Sequence, residues 1–464
     1  MVEVLKTEGN DPRLYYPIFS VFNEFPEEKQ LDRTSGWLLM ENGEVAASAL
    51  VREKGNLWHI RRLAVLEKHR GKGFGAKIIN AIESCARTQG IAELTTVTSK
   101  KWPVMRQMIQ KKGWLYSKAR KSKRSEGIDE HWFLPLVNSP VKVILVGANP
   151  KGRGGELAGA ITKLPSLVKL VGICDLDPNY RNYWTELGVA AAPSLQDLLA
   201  QGVIAQAVMM ALPHNVYEEN RATCMKHGLA MFHEKPLACT LFELQNLVAA
   251  LGKTPVPLVV GTQRRDHPTY VYLKELIQNE EISTLSISME LGKSSTPESW
   301  RGSRQKSGGG ALIDLGIHAV DLVHHFLGYS LELVSCSLWV ENESGKTRPA
   351  LDCELETAAS IIGRCGKTWV KIWVNRRGKK SESVEVIGKS HWLADRSSVS
   401  KNKEMLFTCE EDWELALAGR IGKLVTDINS KSISFENWDH FSSLRIIEQA
   451  YALPTQIGMG SRAV

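Results

Sequence analysis

The chain has 464 residues, 43% of them hydrophobic and 23% charged, with a formal net charge of +7 at pH 7. That length allows about two to four domains with cores of their own, and the composition excludes a fibrous or disordered chain. No apolar run is long enough to cross a bilayer, no signal-peptide core opens the chain, and the 8 cysteines show no metal-ligand spacing, so free thiols in a reducing cytoplasm are expected.

In chain order, Gly36–Met40 and Val45–Val51 flank Glu41-Asn42-Gly43-Glu44. Asn-Gly between apolar runs predicts a hairpin, because both turn residues tolerate positive φ. Trp58–Val65 is a further strand. The loop Arg70-Gly71-Lys72-Gly73-Phe74-Gly75-Ala76 follows, and then Ile78, Ile79, Ile82, Cys85 and Ala86 lie on one helical face. A basic, glycine-rich loop before a helix N-terminus offers donors and charge to a diphosphate.

IRRLAV followed by RGKGFGAKII resembles the central motif of the GNAT acetyltransferases, over about the first 135 residues. The resemblance implies that the loop Arg70–Ala76, through the amides of Gly71, Gly73, Phe74 and Gly75, holds the pyrophosphate of acetyl-CoA, with Lys72 in the same loop. It implies that the strand at Leu63 and Val65 takes the pantetheine arm. Many members carry a tyrosine, as acid for the departing thiolate, four residues before a Gly-aromatic pair. Here the pair is Gly113-Trp114 and the position is Ile109. Tyr116 is nearby but not equivalent, and His59 is a candidate base or a structural histidine. A CoA-binding domain without activity is the alternative. Lys118–Arg124 is expected as a solvated loop between the last two strands, not a nucleic-acid patch. Glu130–Leu136 is expected to close the sheet, and Val137–Pro140 to form the domain boundary.

Val141–Val146 suits a buried strand and runs into Gly147-Ala148-Asn149-Pro150-Lys151-Gly152. Glu156–Leu164 has helical spacing, and Leu167–Cys174 is a second apolar run ending on Asp175. This is the order of a dinucleotide-binding unit, in which the loop meets the pyrophosphate and the acid meets the ribose. An acid without a nearby base favours NAD, with NADP second. Ala205–Leu212 leads to Pro213-His214-Asn215, and Leu229–His233 to Glu234-Lys235-Pro236.

The degenerate glycine loop, CDLDP, LPHN and EKPLA stand in the order typical of the Gfo/Idh/MocA oxidoreductases, from about Val141 onward. The resemblance places Lys235 at the nicotinamide side of the cleft, against the reacting oxygen. Gly261–Pro268 resembles the opening of the second domain and makes Arg265 a candidate substrate contact. Asp314 and His318 match the family's D-x-x-x-H. Four residues apart, they are expected on one helical face. Asp321, His324 and His325 follow and make a metal cluster an alternative, but no metal is expected. Leu333–Val340, Leu355–Ile362, Thr368–Val374 and Val384–Ile387 alternate like strands, and residues after Phe435 return to a helical pattern.

The resulting expectation is a multidomain α/β and α+β chain. It has a GNAT-like domain at 1–136, a Rossmann NAD-binding domain at 140–260, and a substrate and oligomerisation domain with an open, mostly antiparallel sheet at 261–464. The expected activity is an NAD-dependent oxidoreductase for an alcohol or ketone of a sugar or amino-sugar-like metabolite, fused to an acetyl-CoA-dependent N-acetyltransferase. The alternative is an oxidoreductase or imine reductase carrying a degenerate CoA-binding sensor. Expected partners are a small molecule, such as an amino sugar or nucleotide sugar, and further copies of the chain through the C-terminal sheet. Neither nucleic acid nor membrane is expected.

Overall fold

The computed structural model describes residues 2–22, 33–55, 57–99, 101–122, 128–136, 139–292, 299–328, 331–341, 346–351, 354–409, 413–430 and 438–453. The chain forms two compact units. One comprises 1–141, 162–169 and 421–432, and the other comprises 142–161, 170–420 and 433–464.

The first unit is built on β1 (Val2–Glu8), α1 (Tyr15–Phe22), β2 (Thr34–Glu41), β3 (Glu44–Lys54), β4 (Leu57–Val65), α2 (Phe74–Thr88), β5 (Glu93–Thr98), α3 (Pro103–Lys111), β6 (Leu115–Lys121) and β7 (Ile128–Pro135). The strands form one sheet in the order β1-β2-β3-β4-β5-β7-β6. The Asn42-Gly43 hairpin is present, with both residues at positive φ. Ile78, Ile79 and Ile82 of α2 are buried as their spacing predicts. Two expectations change. Residues 118–121 belong to strand β6, not to a loop, and β7 lies inside the sheet while β6 is its edge. Edge strands commonly carry charged residues, so the charge run in the sequence does not exclude a strand there. Residues 123 and 124 of that run, and 137 and 138 of the expected boundary, lie outside the described residues.

The next stretch of the chain carries β8 (Val141–Val146), α4 (Arg153–Thr162), β9 (Val168–Cys174), α5 (Pro178–Glu186), β10 (Ala190–Ala192), α6 (Leu195–Ala200), β11 (Ala207–Met210), α7 (Tyr217–His227), β12 (Ala230–His233), α8 (Leu241–Lys253) and β13 (Leu258–Val260). The order β10-β9-β8-β11-β12-β13 is that of a doubly wound sheet, which reverses direction between β8 and β11. Its strands read as apolar runs because helices cover both faces. Ile144, Val208, Met210 and Met231 share one core cluster.

The remainder carries α9 (Pro268–Ile277), β14 (Thr284–Glu290), α10 (Arg304–Ser307), α11 (Ile317–Leu327), β15 (Leu331–Glu341), β16 (Thr347–Pro349), β17 (Ala358–Cys365), β18 (Thr368–Asn375), β19 (Ser381–Ile387), β20 (His391–Ala394), β21 (Ser398–Lys401), β22 (Glu404–Thr408), α12 (Trp413–Ser430) and α13 (Trp438–Ala452). Nine strands order as β16-β15-β17-β18-β14-β19-β20-β21-β22. β14 runs parallel to β18, and the other paired strands recorded are antiparallel. Asp314 does not lie on a plain α-helix. Leu312–Gly316 is a π-helical turn that feeds into α11. The stretch Arg304–Leu327 is long and apolar enough to cross a membrane, but 83% of its most apolar window is buried, as in a core helix.

Candidate active site

Gly147 closes β8 at φ +82°, and a Cβ there would run into the Ala211 carbonyl. Only glycine suits a position with both constraints. Asn149 shapes the loop. Its Oδ1 accepts from Lys151 N at 2.9 Å, and its carbonyl accepts from Gly152 N at 3.1 Å and Gly155 N at 2.9 Å. Pro150 stiffens the same turn, whose end leads into the first residue of α4, Arg153. Sequence reasoning passed over Gly154 and Gly155, although GRGGE was a visible signal. A Cβ on Gly154 would meet the Gly147 carbonyl, and one on Gly155 the Pro150 carbonyl. These close backbone approaches, at a helix N-terminus on the reversal of a doubly wound sheet, fit a dinucleotide pyrophosphate.

Asp175 follows β9. Its Oδ2 accepts from Ala148 N at 2.8 Å and its Oδ1 from Asp177 N at 3.0 Å. The carboxylate is therefore fixed beside the glycine loop. A base is nearby after all: Arg181 Nη1 donates to the carbonyls of Asp175 at 2.7 Å and Leu176 at 2.8 Å. The helical turn of α5 brings Arg181 back to the strand end, which linear spacing did not reveal.

Pro213, His214 and Asn215 lie beyond β11, at a short 3-10 turn. His214 Nδ1 is 2.7 Å from the Ser307 carbonyl, and its ring meets Trp300 at 4.7 Å between centroids. Burial, with Lys235 adding to it, pushes His214 down to about 4. Glu234 receives Arg153, with Nη2 at 2.7 Å from Oε1, and Arg153 Nη1 also reaches Glu156 at 2.7 Å.

Lys235 lies past β12. Its Nζ donates to the Asp314 carbonyl at 2.6 Å and to Asp314 Oδ1 at 2.9 Å. Oδ2 of the same carboxylate accepts from Arg376 at 3.1 Å and lies 3.6 Å from Arg301 Nε. Burial opposes ionisation of Asp314, yet Lys235, Arg376 and Arg301 outweigh it and hold the group well below the usual carboxylate range. Burial pushes Lys235 below the ordinary lysine value, and Asp314 works in the opposite direction. His318, one turn on, is buried and pushed well down from its ordinary value, first by burial and then by Arg264 and Lys235. So Lys235, Asp314 and His318 form one charged neighbourhood. Arg301, Arg376 and Trp300 join it without any motif to announce them. Arg265 instead pairs with Asp321 at 2.7 Å. Chemically, a buried ammonium so held can stabilise charge on an alkoxide or carbonyl oxygen, and a neutral imidazole can take up a proton.

In the first unit, the β4–β5 ladder ends at Ile60↔Thr96 while β4 runs on to Val65, so Leu63 and Val65 lie beyond it. Gly71 at φ +78° and Gly73 at φ +74° lead into α2, and a Cβ on either would meet nothing within 4 Å. Space beside a strand end and a helix N-terminus fits the diphosphate of CoA. Lys72 reaches Glu41 at 2.8 Å, His69 reaches the same carboxylate at 2.7 Å, and Arg70 Nε donates to the Val65 carbonyl at 3.4 Å. A Cβ on Gly75 would sit 3.7 Å from Leu63, Val65 and Met108 side chains. Phe74 is buried and Ala76 lies in the first turn of α2. Ile109 is fully buried. His59 Nδ1 is 2.8 Å from Thr95 Oγ1, and burial with Arg61 and Arg52 lowers it to about 4.

Comparison with known proteins adds family assignments. Residues 6–108 match the acetyltransferase (GNAT) family, 141–262 the NAD-binding Rossmann fold of the oxidoreductase family named GFO_IDH_MocA, and 270–394 a GFO/IDH/MocA C-terminal domain. Among curated proteins, the myo-inositol 2-dehydrogenase of Thermotoga maritima is 26% identical over 47% of this chain and 64% of its own length. The chain spans about half to two-thirds of the first curated relatives it matches. Two solved structures share the fold. GenD2 from gentamicin A biosynthesis, in complex with NAD, has a TM-score of 0.57 at 22% identity, over 68% of this chain and 94% of its own. The WlbA dehydrogenase from Bordetella pertussis, in complex with NADH and UDP-GlcNAcA, has a TM-score of 0.55 at 20% identity, over 68% of this chain and 97% of its own.

Proposed function

We propose, for a chain that belongs to the GNAT family over residues 6–108 and to the Gfo/Idh/MocA oxidoreductases over residues 141–262 and 270–394, that one polypeptide joins two activities. The second unit oxidises or reduces an alcohol or ketone of a sugar or amino-sugar-like metabolite. The first transfers an acetyl group from acetyl-CoA to an amine. The observation that carries the reading is the Lys235 ammonium held on Asp314, with His318 one turn further along. NAD, when bound, accepts or returns the hydride. Lys235 steadies charge on the reacting oxygen, Asp314 orients Lys235, and His318 takes or returns the proton. Sugar-directed relatives support the substrate class.

Asp175 supports NAD, because a fixed carboxylate accepts from a ribose diol and repels a 2′-phosphate. Arg181 narrows that preference. The outward face of the nine-stranded sheet exposes Ile362, Trp369, Ile387 and Leu393, which supports self-association there. Free cysteines among the described residues agree with a cytoplasmic setting. One observation favours a second reading for the first unit. Ile109, fully buried, has no hydroxyl for the departing thiolate, as in a CoA-binding sensor.

Calorimetry on the full chain tests the cofactor assignments. Acetyl-CoA should bind wild type, and Gly73→Glu should lose it while keeping NADH. NADH should bind more tightly than NADPH, and Asp175→Ala should narrow the gap. Unchanged CoA affinity in Gly73→Glu, or a wild-type preference for NADPH, contradicts the respective assignment.

A further inference from the structure

At the redox centre three cations share one carboxylate. Lys235 Nζ is 2.9 Å from Asp314 Oδ1, Arg376 Nη2 is 3.1 Å from Oδ2, and Arg301 Nε is 3.6 Å from Oδ2. The side chains of Lys235, Arg376 and Asp314 are 14%, 5% and 5% exposed, so water does little to offset the positive charge that Lys235 and Arg376 together hold in excess of Asp314. The other cations acting on His318 do not add to it, because Arg153 is matched by Glu234 and Glu156 and Arg264 by Glu382. Buried charge without a partner is costly, and a site that keeps such a surplus is built for an anion. The nicotinamide ring cannot supply one, since it is cationic when oxidised and neutral when reduced.

We propose that the substrate of this site carries an anionic group, a carboxylate or a phosphate, and that Arg301 is the residue that engages it. Arg301 is the cation of the three with access to solvent, its side chain being 45% exposed. Its guanidinium lies 4.2 Å from the Trp300 ring, which in turn packs edge-on against His214. A cation–π contact of this kind restrains the guanidinium before the ligand arrives, and a planar fork so held can take an oxyanion through two parallel hydrogen bonds. Arg376 Nη1 donates to the Arg301 carbonyl at 3.4 Å and so ties the backbone of that residue to the same centre. Arg376 itself stays on Asp314 and balances it. Lys235 is thereby left for the reacting oxygen, while Arg301 reads a group elsewhere on the same molecule. The inference rests on the dehydrogenase reading of this site and names its substrate class.

The test uses full-length protein saturated with NADH, titrated calorimetrically with glucose, glucuronate and glucose 6-phosphate. Both anions, or the one of the two that the site suits, should bind roughly tenfold or more tightly than glucose, as charge-assisted hydrogen bonds imply. The tighter of the two distinguishes carboxylate from phosphate. Arg301→Gln should abolish the preference, and Arg301→Lys should retain part of it with the anion's affinity falling as salt rises. Titration of each variant with NADH shows whether the site has kept its fold, and the lysine variant decides if the glutamine variant has not. Equal binding of all three probes, no binding of either anion, or a preference that survives Arg301→Gln overturns the proposal while leaving the dehydrogenase reading intact. Wild-type protein that binds no NADH overturns both.

Discussion

His318 illustrates how burial sets the chemistry of a single residue. Its sequence position suggests a group titrating near neutrality, but the folded chain holds it well below its ordinary value. The imidazole is therefore neutral at pH 7 and ready to accept a proton. The acid limb of kcat/KM should fall below pH 6.5, and His318→Ala should lose that limb together with roughly 10²–10⁴-fold in rate. A limb centred at or above 6.5, or one unchanged in the variant, contradicts the role. Lys235, Asp314 and His318 were legible in the sequence because each stands in a short ordered motif. Arg301, Arg376 and Arg181 were not. They reach their positions by tertiary folding or by a helical turn, and an isolated arginine carries no local signal.

At the scale of elements, β19 depends on one buried carboxylate. Glu382 accepts from Arg264 Nη2 at 3.0 Å, Arg396 Nη2 at 2.9 Å and the Tyr270 hydroxyl at 2.8 Å. Burial opposes its ionisation, but Arg264 and Arg396 outweigh that and lower it from 4.5 to about 2. A depressed acid contributes stability that is fully present above the unfolded value. That stability is lost as pH falls from about 4.5 to about 2. Glu382→Gln should cost about 3–5 kcal/mol near neutral pH, because two arginines lose their buried partner. The gap to wild type should shrink across that acid window in urea titrations. A gap independent of pH would mean that Glu382 is not ionised in the fold. Strand identity was readable here from alternation, as in Val384 and Val386, which face inward. The π-turn at Leu312–Gly316 was not, since it keeps the apolar spacing of a helix and differs only in its hydrogen bonds. Strand β6 was missed for the opposite reason, because its charged residues hid an edge.

At the scale of the molecule, the order of a GNAT region followed by a Rossmann region was legible because each cofactor motif follows its own strand and precedes its own helix. What no motif announced is that residues 421–432 and 162–169 belong to the first compact unit. Asn429 Nδ2 donates to the Leu136 carbonyl at 3.0 Å, and Thr426 Oγ1 to Glu93 Oε2 at 3.4 Å. Such long-range contacts depend on the whole fold and leave no periodic trace in the sequence.

The proposed role of the Lys235–Asp314 pair is to mark a centre of hydride transfer. The most direct measurement is NADH formation by the full chain over a panel of amino sugars and nucleotide sugars, repeated with Lys235→Ala. At least one sugar should reduce NAD in the wild type. The variant should bind NADH normally and lose roughly 10²–10³-fold in turnover, as expected when a donor to a developing oxyanion is removed. No NADH from any member of the panel, or undiminished turnover in Lys235→Ala, would contradict it.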